Sequence, residues 1–356
     1  MKRKAAIEAN RLSIAVLVLL FVPSVFAVAP ETKKLQIYFV DVEGGQSTLF
    51  VTPTGQSLLV DSGWPGGRDA ERIMQVVKKA GITAIDYMVV SHYHIDHAGG
   101  VGDIVARIPV KTFIDHGPNT ESAAATAQNY EKYLPLRSKA KYILARPGDR
   151  LPITGMSVQV VSAAGQTITK PLPGAGAPNP LCESFEPKDG ALVGGENQQS
   201  VAMVITFGRF RMADFADLTW NREHDLACPN NLIGNIDLYL VSHHGREISS
   251  LPMLVYAMHP MVAVMNNGAN KGGDVATFER LAKSPGLENL WQLHFAVGAK
   301  DLNSPKDFIA NLGTAGTATT GVPDEVANYI SCVVNADGSF TMTNSRNGFH
   351  KTYRLH

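Results

Sequence analysis

Three histidines and one aspartate fall within six consecutive residues of this 356-residue chain, at His92, His94, Asp96 and His97. They directly follow the apolar run 85–90, which predicts a buried strand. Imidazole nitrogens and carboxylate oxygens are ligands that Zn²⁺ prefers, and a strand that ends in a tight loop directs such side chains toward one point. The pattern H-x-H-x-D-H therefore predicts a metal site at the end of a strand.

The first 29 residues have the pattern of a secretory signal peptide. Lys2, Arg3 and Lys4 precede the apolar run 14–22, and the small residues at 27–29 are typical of a cleavage site. This apolar run is short for a membrane span, which needs roughly 18 residues, and no later run reaches that length. We therefore expect an exported protein, periplasmic or secreted, whose mature chain has no transmembrane segment. An uncleaved N-terminal anchor is the alternative.

The balance of charges argues against a dedicated nucleic-acid-binding surface. The chain has 32 basic and 32 acidic side chains, and without residues 1–29 it keeps 28 and 31, a slightly acidic balance. No basic patch interleaved with aromatic residues is readable, so no specific nucleic-acid site is predicted. The three cysteines are Cys182, Cys228 and Cys332, without a C-x-x-C pair. A disulfide between Cys182 and Cys228 is compatible with export, but the sequence does not assign it.

Strands and helices alternate along the chain, as in an α/β protein. The first series has strands predicted at 35–40, 47–51, 56–60 and 111–114, with helices at 69–80 and 122–134. The second series begins near 156 and includes a hairpin around Gly208, a strand at 236–241 and a terminal hairpin over 331–354. The segments 163–197 and 296–328 are predicted as surface insertions that rim a pocket. We expect one domain over residues 30–356.

Polar side chains capable of binding metal follow several of these strands. Asp61 ends the third strand, His116 follows the strand at 111–114, Asp217 follows the hairpin, and His243 and His244 follow the strand at 236–241.

This order of residues resembles the metallo-β-lactamase superfamily of metal-dependent hydrolases, in which H-x-H-x-D-H is followed by a bridging Asp and a late His. The closest resemblance is to the soluble hydrolase-like domain of competence-type DNA-uptake proteins. The similar segments are residues 41–47, 58–63, 197–200 and 242–245. The resemblance implies a four-layer αββα sandwich.

The resemblance also implies roles for individual residues around one or two zinc ions, with other divalent metals as alternatives. His92 and His94 would bind the first ion, Asp96, His97 and His243 the second, and Asp217 would bridge both. Asp96 would also act in catalysis by orienting a metal-bound hydroxide. Asp41 and Asp61 would hydrogen-bond the outer nitrogens of the ligating histidines.

The chain departs from the family pattern in three places. Family enzymes supply a third histidine to the first metal between the cluster and the bridging Asp, but this chain has residues 197–200, Asn-Gln-Gln-Ser, there. The bridging Asp usually follows Gly, whereas Asp217 follows Ala216, and Asp214 is a rival for the same role. The loop 267–274 lacks the His-Pro of the DNA-uptake branch, so substrate contacts at that rim must differ.

Three further residues are candidates for contacts with substrate or with the ligands. His116 lies at a strand end. His244 is expected to be a neighbour of His243 rather than a ligand, because adjacent side chains on extended backbone point to opposite sides. Arg246 is placed to bind an anionic oxygen of substrate.

These patterns predict an exported metal-dependent hydrolase whose metal-bound hydroxide attacks a phosphodiester or another ester-type substrate. A serine hydrolase is excluded because the chain has no G-x-S-x-G elbow. Two alternatives remain open. One is a β-lactam or lactone hydrolase of the same fold, and the other is a catalytically silent metal-binding or scaffold protein.

Overall fold

The computed structural model describes residues 34–190, 194–313 and 328–355. The predicted signal peptide at 1–29 lies outside the described residues, as do residues 191–193 and 314–327 of the two predicted insertions.

Strands from both ends of the chain form the first sheet. Within the described residues it has nine strands in the order β17-β16-β15-β1-β2-β3-β4-β5-β6. They are β1 (Leu35–Val40), β2 (Thr48–Val51), β3 (Ser57–Val60), β4 (Tyr87–Val89), β5 (Thr112–Asp115), β6 (Lys141–Leu144), β15 (Tyr329–Val334), β16 (Phe340–Asn344) and β17 (His350–Tyr353). Strands β3 to β6 pair in parallel, so their carboxyl ends share one edge of the sheet.

The middle of the chain forms the second sheet. Its eight described strands follow the order β14-β13-β12-β11-β10-β9-β7-β8. They are β7 (Ser157–Ala163), β8 (Gln166–Thr167), β9 (Ala202–Phe207), β10 (Phe210–Asp214), β11 (Leu238–Leu240), β12 (Val262–Met265), β13 (Asn289–His294) and β14 (Ile309–Asn311). Strands β10 to β14 are parallel, and their carboxyl ends again lie along one edge.

Helices connect the parallel strands. Among the described residues they are α1 (Arg68–Lys79), α2 (Ile95–Ala98), α3 (Val101–Val105), α4 (Ala124–Arg137), α5 (Trp220–Ala227), α6 (Pro252–Met258) and α7 (Val275–Ala282).

Three apolar clusters arrange these elements in four layers. The central cluster lies between the sheets and contains Ile37 and Phe39 of β1 with Met203 of β9. Alternation along β1 sends Val40 to the opposite face, where it packs in a cluster with Ile73 of α1. The outer face of the second sheet packs with α5, α6 and α7 in the same way. This order of helices, sheet, sheet and helices confirms the predicted αββα sandwich.

Two segments differ in detail from the sequence expectation. The terminal segment, predicted as a hairpin over 331–354, is a meander of β15, β16 and β17, with a turn at Asp337 and Gly338 between its first two strands. The segment 163–197 does not only cross the surface, because Ile168 and Leu172 are buried in the outer cluster of the second sheet. A disulfide joins Cys182 of this segment to Cys228 after α5, and Cys332 is free and buried.

Candidate metal centre

The polar strand ends of both sheets meet at one place. Asp61 follows β3, the histidine cluster follows β4, Asp217 follows β10, and His243 and His244 follow β11. Ligand sites of open α/β sheets lie beyond the carboxyl ends of the parallel strands, which is where these side chains converge.

A short helix folds the cluster back on itself. Backbone after β4 is extended up to His94, which precedes α2, and the first turn of α2 carries Asp96 and His97. The backbone carbonyl of His97 accepts hydrogen bonds from the amide N–H of Ser62, at 2.8 Å, and from its hydroxyl, at 2.9 Å. A side chain at Gly100 would collide with the carbonyl oxygen of Ser62, so glycine is required for this close approach.

Four buried side chains form the first group of potential metal ligands: Asp96, His97, Asp217 and His244. His97 Nε2 lies 3.2 Å from His244 Nε2 and 3.2 Å from Asp217 Oδ1. His244 Nε2 lies 3.2 Å from Asp96 Oδ2. All four ligand atoms are within 4.8 Å of one another, a spacing that a single ion can bridge.

The chemistry of this group fits a cation. Asp61 Oδ2 lies 2.7 Å from His97 Nδ1, and a carboxylate at that distance holds the proton on Nδ1. The lone pair of His97 Nε2 therefore points into the group. Asp217 Oδ1 is buried there without a hydrogen-bond partner among the described residues. Burial alone would lower the pKa of His97, but Asp217, Asp96 and Asp61 raise it well above its ordinary value, so the group holds a proton when no metal is bound. A metal ion would satisfy the same acceptors in place of that proton, so the residues present fit a metal ion. Asp61 thus takes the orienting position predicted for it.

Asp41 does not take that position, and the prediction for it is wrong. Its carboxylate accepts hydrogen bonds from the amide of Asn311, at 2.8 Å, and from the backbone N–H of Glu43, also at 2.8 Å. The nearest histidine is His294, with Nε2 at 4.0 Å. Asp41 follows a strand that runs antiparallel to its neighbours, and it fixes the loop after β1 instead of a ligand.

A second group contains His92, His94 and Asp217. His92 Nε2 lies 3.1 Å from His94 Nδ1 and 3.9 Å from Asp217 Oδ2. Asp217 belongs to both groups, with Oδ1 toward the first and Oδ2 toward the second, as a bridging carboxylate must be. The rival Asp214 instead accepts hydrogen bonds from the side-chain amide of Gln46 at 3.0 and 3.1 Å.

Sequence reasoning missed Glu121, which takes part in the second group. Its Oε2 lies 2.9 Å from His94 Nε2, so His94 keeps its proton on Nε2 and presents Nδ1 to the group. Glu121 lies in the loop between β5 and α4, and only the fold brings that loop to His94. No motif signals it.

The expectation for His244 is wrong, and the reason is local backbone geometry. His243 and His244 are not extended, because both have left-handed conformation with φ of 53° and 56°. Their rings therefore turn to the same side. His244 is one of the first group, whereas His243 lies beside it with Nε2 3.3 Å from Asp217 Oδ2. That His243 binds a metal stays a prediction.

Lys271 is a second residue that sequence reasoning missed. Its ammonium donates to Asp96 Oδ2 and to the backbone carbonyl of Gly44, and it lies 4.9 Å from the centre of the Trp64 ring. The loop that carries it, after β12, lacks the His-Pro of the DNA-uptake branch. The lysine therefore places a positive charge at the rim where substrate contacts were expected to differ.

The remaining two candidates lie outside both groups. His116 is buried with Nε2 3.0 Å from Glu196 Oε2, and it lines a cavity of about 710 Å³ together with residues 144–148 and 166–173. Arg246 is exposed directly after the histidine pair. A contact of either residue with substrate stays a prediction.

Electrostatics keep the acidic ligands ionised and two histidines, His92 and His243, neutral. Burial alone would raise the pKa of Asp96, but Lys271 and the nearby histidines outweigh burial and hold that pKa well below its ordinary value. Burial, together with His97 and His94, holds the pKa of His92 well below its usual range. Burial lowers the pKa of His243 to about 4. Ionised carboxylates and neutral imidazoles are the forms that bind metal.

Comparison with known proteins agrees with this fold. The family model described as Metallo-beta-lactamase superfamily matches residues 41–193, which confirms the resemblance seen in the sequence. Recombination protein 2 of Haemophilus influenzae is 24% identical over 236 residues, a region that includes 65% of this chain. The chain spans about a quarter of the length of that relative.

Several solved structures are similar at low sequence identity. A metallo-β-lactamase with a HARLDQ motif from Cronobacter sakazakii has a TM-score of 0.37 at 15% identity, over 58% of this chain and 74% of that one. CmlA, a diiron β-hydroxylase from Streptomyces venezuelae, has a TM-score of 0.39 at 13% identity, over 65% and 44%. A diphosphatase from the PhnP family has a TM-score of 0.39 at 12% identity, over 80% and 95%. At these identities and TM-scores, the activities of those proteins are not assigned to this chain.

No helix in the described part of the chain is long and apolar enough to cross a membrane.

Proposed function

We propose that this chain, which carries a metallo-β-lactamase superfamily domain and has that family's fold, is an exported metal-dependent hydrolase of an anionic phosphodiester. One observation carries the proposal. The carboxylate of Asp217 lies between two groups of metal-binding side chains and presents a different oxygen to each. This is the arrangement expected of a bridging ligand in a two-metal hydrolase, and zinc suits its nitrogen and oxygen donors.

Divalent ions bound here would activate a water molecule and neutralise the charge that develops on the substrate. Side chains of the protein orient the ligands of these ions. Asp61 fixes the ring of His97 and Glu121 fixes that of His94, so both present a lone pair. Asp96 is ionised and accepts hydrogen bonds rather than donating them, which suits the orienting role proposed for it.

Two observations favour an anionic substrate. Lys271 brings an ammonium group against the ligand Asp96, where it can pair with a phosphodiester oxygen. The curated relative is named Recombination protein 2, and a nucleic-acid substrate of such a protein would be a phosphodiester. The alternative substrates are β-lactams and lactones, whose strained carbonyl could be attacked in the same way, and they form the second class to be tested.

Export is supported by the disulfide between Cys182 and Cys228, because such bonds form and persist in oxidising compartments.

The test is a substrate panel with the purified protein. Bis(4-nitrophenyl) phosphate, a β-lactam and a lactone are each assayed with and without a chelator, and after zinc or manganese is restored. We expect phosphodiester hydrolysis that the chelator abolishes. The variant His97→Ala should lose the ion of the group that contains His97, and with it turnover, whereas His350→Ala, at an exposed strand position, should keep its full metal content and turnover. Turnover in H97A equal to wild type, or metal binding without hydrolysis of any substrate, would contradict the proposal.

A further inference from the structure

The two histidines after β11 contact different oxygen atoms of Asp217. His243 Nε2 lies 3.3 Å from Oδ2, and His244 Nε2 lies 3.4 Å from Oδ1. Two histidines of the early cluster are divided between the same two oxygens of Asp217. His92 Nε2 is 3.9 Å from Oδ2, whereas His97 Nε2 is 3.2 Å from Oδ1.

The backbone of this segment makes the division feasible. His243, His244 and Gly245 are three successive residues with positive φ, at 53°, 56° and 81°. On an extended strand the two rings would point to opposite faces, but this turn directs both toward Asp217. Hydrogen bonds pin the turn on both sides, from the N–H of His243 to the carbonyl of Ala216 and from the N–H of Gly273 to that of His244, each at 2.9 Å.

His243 also has its outer nitrogen held. Ser249 Oγ lies 3.2 Å from His243 Nδ1, which leaves Nε2 facing Asp217. Nε2 is therefore the ring nitrogen available as a ligand.

Among the described residues the second group has three members, His92, His94 and Asp217, one fewer than the four ligands of a tetrahedral zinc site. The segment 197–200 supplies no histidine. Glu196, which directly precedes that segment, makes other contacts. Its Oε2 lies 3.0 Å from His116 Nε2, and its Oε1 accepts the N–H of Thr120 at 2.8 Å.

We infer that the tandem histidines serve two different ions. His244 completes the site of Asp96, His97 and Asp217 Oδ1. His243 completes the site of His92, His94 and Asp217 Oδ2, and so replaces the third histidine that family enzymes take from another part of the chain. This inference rests on the proposed function in one respect, because it requires two bound ions.

Pairs of substitutions test the assignment by counting ions. The full chain is stripped with chelator, reloaded with zinc and dialysed, and bound zinc is measured by elemental analysis. Loading with Co²⁺ gives absorption bands that report each site separately. Wild type should bind two ions. The double variants H92A/H243A and H97A/H244A should each keep one ion, with different Co²⁺ spectra, because each removes ligands from a single site. The variants H92A/H244A and H97A/H243A should lose both ions.

The opposite pattern would overturn the inference, as would a single ion in wild type. Asn197 is the competing donor for the second group, because its side-chain oxygen is buried without a hydrogen-bond partner among the described residues. If N197A loses the ion of His92 and H243A keeps it, the assignment to His243 is wrong. His350→Ala is the matched control, and circular dichroism checks that each variant is folded. Because the readout is bound metal, two ions without phosphodiester turnover would contradict the proposed function and leave the histidine assignment standing.

Discussion

The ammonium of Lys271 contacts the carboxylate of Asp96, which is also a proposed metal ligand. The lysine therefore repels a metal cation bound at Asp96. Replacing it in Lys271→Met should tighten zinc binding at the site of Asp96 by about tenfold. Two like unit charges 4 Å apart near a protein surface repel by about 4 kcal/mol. The expected tenfold change in zinc affinity corresponds to about 1.4 kcal/mol, roughly a third of that repulsion. The same change should raise KM for an anionic phosphodiester, because it removes the cation available to the substrate.

Competition titration with a chelating dye measures the affinity, and steady-state kinetics measures KM. The variant K271R is the matched control, since it keeps the charge and should resemble wild type in both. If K271M has unchanged zinc affinity and unchanged KM, the contact with Asp96 has no functional role.

Asp61 tests whether ligand orientation matters. Its Oδ2 accepts from the Ser91 hydroxyl at 2.7 Å as well as facing His97 Nδ1. In Asp61→Asn the charge is lost, and a side-chain N–H can replace the acceptor that holds the His97 tautomer. We expect zinc affinity to fall by about 10–100-fold, the usual effect of removing such a partner.

The control for this substitution is Glu131→Gln, an exposed position of α4, and its affinity should equal that of wild type. Competition titration compares the three proteins. Equal affinity of D61N and wild type would show that His97 does not depend on Asp61.

Among the elements, the segment between β8 and β9 depends on its disulfide. The bond between Cys182 and Cys228 closes a loop with a sequence separation of 46 residues and ties the turn Pro180–Ser184 to the end of α5. Loop-closure entropy assigns such a bond about 4 kcal/mol. The double variant C182S/C228S should lose free energy of unfolding on this scale.

Urea unfolding with and without reductant measures the loss. Reduced wild type should match the variant, and reductant should not affect the variant, since Cys332 is buried and unpaired. Bound zinc should be unchanged, because neither cysteine belongs to the metal groups. If reductant leaves wild-type unfolding unchanged, the tether does not contribute to stability.

The elements that the sequence predicted best are those with local signals. Alternation along β1 and the cluster after β4 are both readable within a few residues, and both were found as predicted. The position of His244 was not predicted, because a pattern of residue types does not show that His243 and His244 both have positive φ. Whether one residue at a strand end is extended or left-handed decides which face its side chain occupies.

Across the whole molecule, long-range convergence limited the prediction of the site. The first group combines residues that follow β4 with His244, which follows β11. The order of the motifs along the chain was enough to predict that Asp217 belongs to it. Glu121 and Lys271 come from loops without a motif. Only the packing of the two sheets brings Glu121 to His94 and Lys271 to Asp96. Asp41 shows the converse, since a matching motif did not indicate which side of its loop the carboxylate faces.

Stability should depend on pH through Glu223, which is buried where α5 meets the loop carrying the late histidines. Its carboxylate accepts the backbone N–H of Ser250 at 3.0 Å and of Leu251 at 2.7 Å. Burial raises its pKa from 4.5 to about 7. Because the folded pKa lies above the unfolded one, this group contributes full stability below pH 4.5, and the contribution is lost as pH rises through about 7. The loss is about 3 kcal/mol at 1.36 kcal/mol for each pKa unit.

The variant Glu223→Gln cannot ionise and isolates this effect. Urea unfolding of the metal-free protein, measured in chelator from pH 4.5 to 8, should show wild type losing about 3 kcal/mol relative to E223Q across that window. The same comparison with E131Q should give a difference that does not change with pH, since Glu131 is exposed. Parallel curves for wild type and E223Q would mean that the carboxyl of Glu223 is hydrated in the folded protein.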